Sequence, residues 1–193
     1  MHPQETSGKH GYRLWLALGD TLLRRSIRQC VSDLGLEGDE DVMDFGCGPG
    51  LVSLHLARML QRGHLTCVDV SEAATAAARN RLRMYSSVDF LSGDIRERQP
   101  GAAAYDVVFM NFVYYHIDVP ERHGTIKRLV QLLKEGGRLV LRNPVSKRSG
   151  ITPEAIRAEF GQLGLREVSG GLTRSLLFIP TYTGVYKRTA EAP

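Results

Sequence analysis

From residue 41 onward, short apolar runs alternate with segments whose apolar residues recur every three or four positions. The first pattern is typical of buried strands and the second of amphipathic helices. Strands are predicted at 41–46, 64–70, 88–94, 105–111 and 138–142. Strands separated by helices form βαβ units, so the sequence predicts an α/β fold with a doubly wound, mostly parallel sheet.

Two further β-type stretches lie at 165–169 and from 176 to about 187, with no helix-length segment between them. A short connection joins antiparallel strands, so we expect the last strand to be antiparallel to its neighbours. Pro180 has no backbone N–H to give to a sheet, and we expect it at a strand start or a bulge.

Before the sheet, Tyr12, Trp15 and Leu22 lie along one face of a predicted helix. We therefore divide the chain into an N-terminal helical segment, 1–37, and a main domain, 38–193. The apolar stripe needs a partner. It either covers the mouth of the ligand crevice as a lid or packs against the outer face of the sheet.

Composition changes this interpretation little. The 193 residues are 42% apolar and 24% charged, which is typical of one globular domain. The chain shows neither a signal-peptide pattern nor an apolar run long enough for a membrane span. Its three cysteines form no C-x-x-C pair, which argues against a metal site and favours the reducing cytoplasm; they are Cys30, Cys47 and Cys67.

The formal net charge is +4, and the basic excess lies entirely in residues 121–193. One interpretation is a solvated basic face, and the other is contact with an anionic molecule.

The segment 44–50 reads Asp-Phe-Gly-Cys-Gly-Pro-Gly at the end of the first predicted strand. Glycines at this place let the backbone approach a ligand closely. A dinucleotide-binding loop would need its third glycine at position 51, where the chain has Leu51. A phosphate-binding Walker loop would need Gly-Lys-Ser/Thr, which is absent.

Asp44, Asp69 and Asp94 each lie at or near the end of one of the first three predicted strands. Such a row of acceptors suits a ligand with an amine, a ribose and an adenine, and it offers no basic group for a diphosphate. Each carboxylate also has a structural alternative. Asp44 can hold amides of the turn, Asp69 can stabilise the next helix N-terminus, and Asp94 can be a turn residue.

Together these segments resemble the class I S-adenosylmethionine-dependent methyltransferases, with the family's spacing. The glycine loop resembles the family's first motif, and similar matches follow at the second to fifth strands. The matching segments are 44–50, Val-Asp-Val-Ser at 68–71, Gly-Asp-Ile at 93–95, Tyr-Asp-Val-Val at 105–108 with Asn111, and Leu-Leu-Lys-Glu-Gly-Gly-Arg-Leu at 132–139.

The resemblance implies a Rossmann-like sheet of order 3-2-1-4-5-7-6, with strand 7 antiparallel, and S-adenosylmethionine as cofactor. It implies that the glycine loop passes the methionine part, that Asp69 holds the ribose, that Asp94 and Ile95 embrace the adenine, and that Asn111 lies near the sulfonium. The expected cofactor-binding residues are Asp44, Gly46, Cys47, Gly48, Gly50, Asp69, Val70, Gly93, Asp94, Ile95 and Asn111.

Methyl transfer is a direct displacement, and a base is needed only when the nucleophile must lose a proton. The candidate base is His116, which follows the fourth predicted strand; the alternative is a packing histidine at a strand-to-helix turn. Tyr114 and Tyr115 are candidates for the acceptor pocket, or one of them belongs to the core. No Asp, Glu and His cluster has divalent-metal spacing, so no metal is expected.

The expected acceptor is a small molecule. Arg142, Asn143, Lys147 and Arg148 follow the fifth strand on the crevice side, which suits a carboxylated or phosphorylated acceptor. The alternative is that these residues only solvate the loop. Nucleic acid is less favoured, because 111–114 lacks the Pro-Pro of nucleic-acid amino-methyltransferases and no aromatic platform is evident. Two alternatives stay open: a non-catalytic cofactor-binding partner subunit, and an RNA methyltransferase.

Overall fold

The structure is a computed structural model that describes residues 24–97, 104–146, 151–174 and 179–189. Within these ranges, a seven-stranded sheet carries helices on both faces. No helix there is long and apolar enough to cross a bilayer. The strands are β1 (Asp41–Phe45), β2 (His64–Asp69), β3 (Val88–Ser92), β4 (Tyr105–Asn111), β5 (Leu133–Pro144), β6 (Leu165–Arg174) and β7 (Pro180–Arg188).

The strand order is β3-β2-β1-β4-β5-β7-β6. The pairs among β1 to β5 are parallel, and β7 is antiparallel to both β5 and β6. The predicted order and the direction of the last strand are therefore confirmed. The chain reverses its course across the sheet between β1 and β4, which leaves a crevice at the carboxyl ends of these strands.

In the described ranges, five helices and one 3₁₀ turn accompany the strands, and the first helix precedes β1. The helices are α1 (Arg24–Ser32), α2 (Leu51–Met59), α3 (Glu72–Arg81), α4 (Val119–Leu132) and α5 (Pro153–Gln162), and the 3₁₀ turn is Tyr114–His116. Ser71 caps α3 by accepting the amide of Ala74, and Thr152 caps α5 by accepting that of Ala155.

The sheet is buried on both faces, which explains its near-continuous apolar strands. Val42 of β1 packs with α1, α2 and α3, whereas Met43 beside it packs with α4 and α5 on the opposite face. The central strand β4 alternates in the same way, with Val107 and Val108 on opposite sides and both fully buried. This two-sided core fixes the carboxyl ends that form the crevice.

Two strands are longer than the sequence predicts. β5 begins at Leu133 instead of 138, and β6 continues to Arg174 instead of ending at 169. The added part of β6 contains Gly170 and Gly171 and lacks apolar alternation, so its extended conformation comes from the ladder with β7. The local sequence does not indicate such pairing between strands.

Pro180 begins β7, as predicted for a proline at a strand start. Of the N-terminal segment 1–37, the structure describes α1 and the turn that follows it. The predicted stripe of Tyr12, Trp15 and Leu22 lies outside the described residues.

Candidate functional site

The turn between β1 and α2 begins with Gly46, whose amide donates to the carbonyl of Val68 at 2.7 Å. Its φ of 73° lies in the left-handed region. A Cβ at this position would lie 2.2 Å from Cγ2 of Val113, in the segment after β4. Only glycine therefore allows the turn and this segment to approach so closely.

Gly48 and Gly50 are required for different reasons. Gly48 has a φ of 53° with no atom within 4 Å of a Cβ, so it faces open space. Gly50 has a φ of 78° and precedes α2, and a Cβ there would lie 2.8 Å from Leu82. The first leaves room above the turn, and the second lets α2 pack against the residues that follow α3.

Asp44 lies beneath the turn and is buried. Ser53 of α2 donates its hydroxyl to Oδ2 of Asp44 at 2.5 Å. Burial raises the pKa of Asp44 to about 6, the Ser53 hydrogen bond opposes this rise, and the nearby charge of Asp69 adds to it. The structural role expected for Asp44 is to hold backbone amides of the turn. The observed hydrogen bond comes instead from the side chain of Ser53 in α2.

Asp69 ends β2 and already accepts two backbone hydrogen bonds. Oδ2 accepts the amide of Gly48 at 2.8 Å, and Oδ1 accepts the amide of Ser71, the cap of α3, at 2.9 Å. Asp69 therefore does stabilise the N-terminus of α3, which is the structural role predicted for it as the alternative to ligand binding. Each carboxylate oxygen can accept a further hydrogen bond.

Asp94 follows β3 and is paired with Arg96. The Arg96 guanidinium donates to both oxygens of Asp94, and its amide donates to Oδ1 at 2.8 Å. These bonds lower the pKa of Asp94. Arg96 also contacts Glu121 at 3.1 Å, so it connects the end of β3 with the first turn of α4. The expectation of no basic group in this row is wrong, although Arg96 is neutralised by its two partners.

A cavity of about 360 Å³ opens at the carboxyl ends of β1 to β4. This size falls in the range of small-molecule sites. Val70 is 76% exposed and lies in its wall, where it offers apolar surface. The lining residues are Phe45, Gly46, Asp69, Val70, Asp94, Ile95, Arg96, Phe112, Val113, His116, Ile117, Asp118, Glu121 and Thr125.

His116 lies at the end of the 3₁₀ turn, exposed in the cavity wall, with its ring centroid 3.9 Å from that of Tyr115. Tyr114 instead belongs to the core and donates its hydroxyl to Glu159 of α5. Burial and Glu159 raise the pKa of Tyr114. Of the two tyrosines, Tyr114 is the core residue, and neither lines the cavity.

Asn111 ends β4, and its Oδ1 accepts a hydrogen bond from Nη1 of Arg142 at 3.3 Å. The next residue, Phe112, has a φ of 60°, which is rare for a side chain of this size. Its amide donates to the carbonyl of Arg142 at 2.8 Å, and the Arg142 guanidinium lies 5.0 Å from its ring centre. Backbone strain at Phe112 thus accompanies a position in the cavity wall.

The structure brings about half of the predicted residues into the cavity wall: Gly46, Asp69, Val70, Asp94, Ile95 and His116. The others lie beside or behind it: Asp44, Cys47, Gly48, Gly50, Gly93 and Asn111. Sequence reasoning missed the other lining residues, among them Arg96, Phe112 and Glu121. The Asp-x-Arg spacing was a usable sign for Arg96, whereas no local pattern marks Phe112 or Glu121.

In the described ranges, no group of three or more His, Cys, Asp or Glu side chains has the arrangement of a metal site. Independence of metals stays a prediction.

Comparison with known proteins agrees with this geometry. A family model described as "Methyltransferase domain" matches residues 42–137. The trans-aconitate 2-methyltransferase of Mycobacterium tuberculosis is 32% identical over 120 residues, which cover 62% of this chain and 43% of that protein. The malonyl-[acyl-carrier protein] O-methyltransferase of Halalkalibacterium halodurans is 28% identical over 102 residues, which cover 51% and 37%. The matched part of the chain thus spans less than half the length of these relatives.

Among solved structures, magnesium protoporphyrin IX methyltransferase from Synechocystis PCC 6803 with bound SAM has a TM-score of 0.70. It is 22% identical, and the match covers 95% of this chain and 86% of that one. At this identity the likeness shows the fold alone. With the family match across β1 to β5 and the confirmed strand order, the chain belongs to the class I S-adenosylmethionine-dependent methyltransferases.

Proposed function

We propose that the protein transfers a methyl group from S-adenosylmethionine to a small-molecule acceptor by direct displacement. The observation that carries this proposal is the cavity at the carboxyl ends of β1 to β4, which joins Gly46, Asp69 and Ile95 in one wall. Three separate strands deliver these residues, at spacings that match the family's motifs.

The residues present fit this cofactor. Asp69 lies in the wall with acceptor capacity for ribose hydroxyls, and the exposed Val70 and the buried Ile95 offer apolar surface for a flat base. Gly48 leaves open space above the turn, where a Cβ would project. Asp94 would act near the adenine through its pair with Arg96, because its carboxylate is already bound to that guanidinium.

When bound, S-adenosylmethionine supplies a methyl group already activated on a sulfonium. The protein's own task is then to bind, to align and to exclude water. Phe112 and Val113 close the wall beside Gly46 and restrict solvent there. His116 is placed to hold a proton released by a hydroxyl or amine acceptor, and that role is part of the proposal.

The acceptor is proposed to be an anionic small molecule. The relatives above are named for trans-aconitate and malonyl groups, both of which carry carboxylates. The basic excess of residues 121–193 suits such a molecule. A cytoplasmic location stays a prediction from the cysteines, which are free.

Calorimetry tests the cofactor. S-adenosylhomocysteine should bind in the micromolar range, roughly −8 kcal/mol, and NADH should not bind. Asp69→Asn should weaken S-adenosylhomocysteine at least tenfold, since charge-assisted hydrogen bonds are worth about 1.5–3 kcal/mol each. It should also lower stability, because Asp69 holds the amides of Gly48 and Ser71.

The matched control is Ser71→Ala, which removes the α3 cap without removing a cavity carboxylate. It should cost about 0.5–2 kcal/mol of stability and leave affinity within about threefold, a change of less than 1 kcal/mol. NADH binding without S-adenosylhomocysteine binding would contradict the proposal. Cofactor binding without turnover of any acceptor would favour a non-catalytic partner subunit, and RNA binding that weakens with salt would favour an RNA methyltransferase.

A further inference from the structure

We propose that Arg142 binds a carboxylate beside the cavity, at the carboxyl end of β5. This inference rests on the proposed function, because it assigns part of the same site to one chemical group.

Register places Arg142 next to the end of β4. Asn111 and Arg142 are directly paired across β4 and β5. Val140 and Phe109 belong to the core on the α1 side of the sheet, and strand alternation puts Arg142 and Asn111 on that same side. The guanidinium lies over the ring of Phe112, which is itself part of the cavity wall. A group bound to Arg142 therefore lies beside the cavity wall.

In the described part of the chain, Arg142 has no carboxylate partner. Its side chain donates to the Oδ1 of Asn111 and lies over the ring of Phe112, both uncharged, and Cys30 of α1 lies within range of its charge. Two other arginines near the sheet are paired with carboxylates, Arg96 with Asp94 and Arg157 with Glu167. The carboxylate of Asp44, on the same side of the sheet, is engaged by Ser53 instead.

The unused donors of Arg142 are open to a ligand. Among described residues, the one side-chain nitrogen or oxygen that is buried without a hydrogen-bond partner is Nε of Arg122. Arg142 is half-buried, and none of its side-chain nitrogens is both buried and without a partner. A guanidinium held against an aromatic ring and keeping unused donors is preorganised for a planar, bidentate anion. A carboxylate matches this fork.

Two carboxylates can reach this position under the proposed function: the α-carboxylate of the cofactor, and a carboxylate of the acceptor. 5′-Methylthioadenosine separates them, because it keeps the adenosine and lacks the amino acid. The experiment is calorimetry on the whole chain with S-adenosylhomocysteine and 5′-methylthioadenosine. Malonate and trans-aconitate are then titrated into the S-adenosylhomocysteine complex.

The variants are Arg142→Gln and Arg142→Lys, with Arg166→Gln as control for the loss of one positive charge on an exposed strand position. Thermal unfolding of each verifies the fold. Arg142→Gln should weaken one carboxylate-bearing ligand about tenfold or more, the size of one charge-assisted hydrogen bond. Arg142→Lys should lose less, because it keeps the charge without the fork. Arg166→Gln should leave the affinity for every one of these ligands unchanged.

If Arg142→Gln binds S-adenosylhomocysteine more weakly and 5′-methylthioadenosine as well as wild type does, Arg142 binds the carboxylate of the cofactor. If its affinity for S-adenosylhomocysteine is unchanged and its affinity for malonate or trans-aconitate is lower, Arg142 binds the carboxylate of the acceptor. Equal binding of every ligand by wild type and Arg142→Gln, or the absence of any Arg142-dependent carboxylate binding, would overturn the proposal. If wild type binds neither adenosine compound, the proposed function itself fails.

Discussion

Single residues at the turn after β1 control both stability and the shape of the cavity. At Gly46 a side chain would meet the stiff, branched Val113, whereas at Gly48 it would meet open space. The two glycines share a left-handed backbone and differ in their surroundings, so the same substitution separates the two effects.

We expect Gly46→Ala to destabilise the protein by at least about 2 kcal/mol, from overpacking and backbone strain. It should also weaken S-adenosylhomocysteine tenfold or more, because Gly46 and Val113 form one wall. Gly48→Ala should lower the free energy of unfolding by about 1–2 kcal/mol, which is the backbone strain alone. Urea unfolding and calorimetry measure both, and equal losses of stability for the two variants would contradict the close approach at Gly46.

Asp44 predicts a pH dependence of stability. Folding raises its pKa from 3.8 to about 6, so the native state holds this proton more tightly than the unfolded chain does. Its contribution to stability is therefore fully present below about pH 4 and is lost as the pH rises through about 6.

Asp44→Asn removes the buried charge, so its free energy of unfolding relative to wild type should rise between pH 4 and pH 7. The rise should be on the order of 3 kcal/mol. Glu135→Gln, at an exposed position, serves as control and should give a constant difference. Urea titrations at the two pH values measure this, and a flat difference for Asp44→Asn would show that the carboxylate is not desolvated.

At the scale of elements, two side-chain contacts fix how the segments after β3 and β4 approach the helices. Arg96 connects the end of β3 with Glu121 in α4. Tyr114 connects the 3₁₀ turn that carries His116 with Glu159 in α5. Neither connection is local in sequence. Arg96 and Glu121 line the cavity, and Tyr114 holds the turn that carries the lining residue His116.

Tyr114→Phe should lower the free energy of unfolding by about 1.5–3 kcal/mol, because a hydrogen bond to a carboxylate is lost and Glu159 stays half-buried. Tyr115→Phe is the matched control, since the adjacent exposed tyrosine has no described partner for its hydroxyl, and its effect should be near zero. Urea unfolding measures both. A Tyr114→Phe protein as stable as wild type would show that this hydrogen bond does not hold the turn.

At the scale of the whole molecule, ligand binding should stabilise the fold by mass action. S-adenosylhomocysteine at about 100 times its Kd adds about 2.7 kcal/mol. For a chain of this size, that raises Tm by roughly 5–11 °C. The same sample allows a test of the N-terminal segment.

Hydrogen exchange with and without S-adenosylhomocysteine tests whether residues 10–25 form a lid. Protection that appears there on ligand binding supports a lid, because a covering element opens for exchange of ligands. Protection that is already high and unchanged by ligand would assign the segment to the outer face of the sheet. Fluorescence of Trp15, the one tryptophan of the chain, gives a second measurement.

The sequence by itself predicted the α/β fold correctly and placed the candidate site at the carboxyl ends of the strands. Buried parallel strands are continuous apolar runs, helices repeat every 3.6 residues, and glycines mark the turn where a side chain does not fit. These signals are local, so β1 to β4, α2, α3 and the turn at Gly46 follow from reading along the chain.

Only the tertiary structure decided which polar groups are already engaged. Asp94 is occupied by Arg96, Asp44 by Ser53, and Asp69 by two backbone amides, so the predicted row of open acceptors is a row of partnered ones. The left-handed backbone conformation of Phe112 and the length of β6 could likewise not be predicted from the local sequence. In each case the energy comes from partners distant in the chain, and the spacing of residues in a sequence does not encode which of them meet.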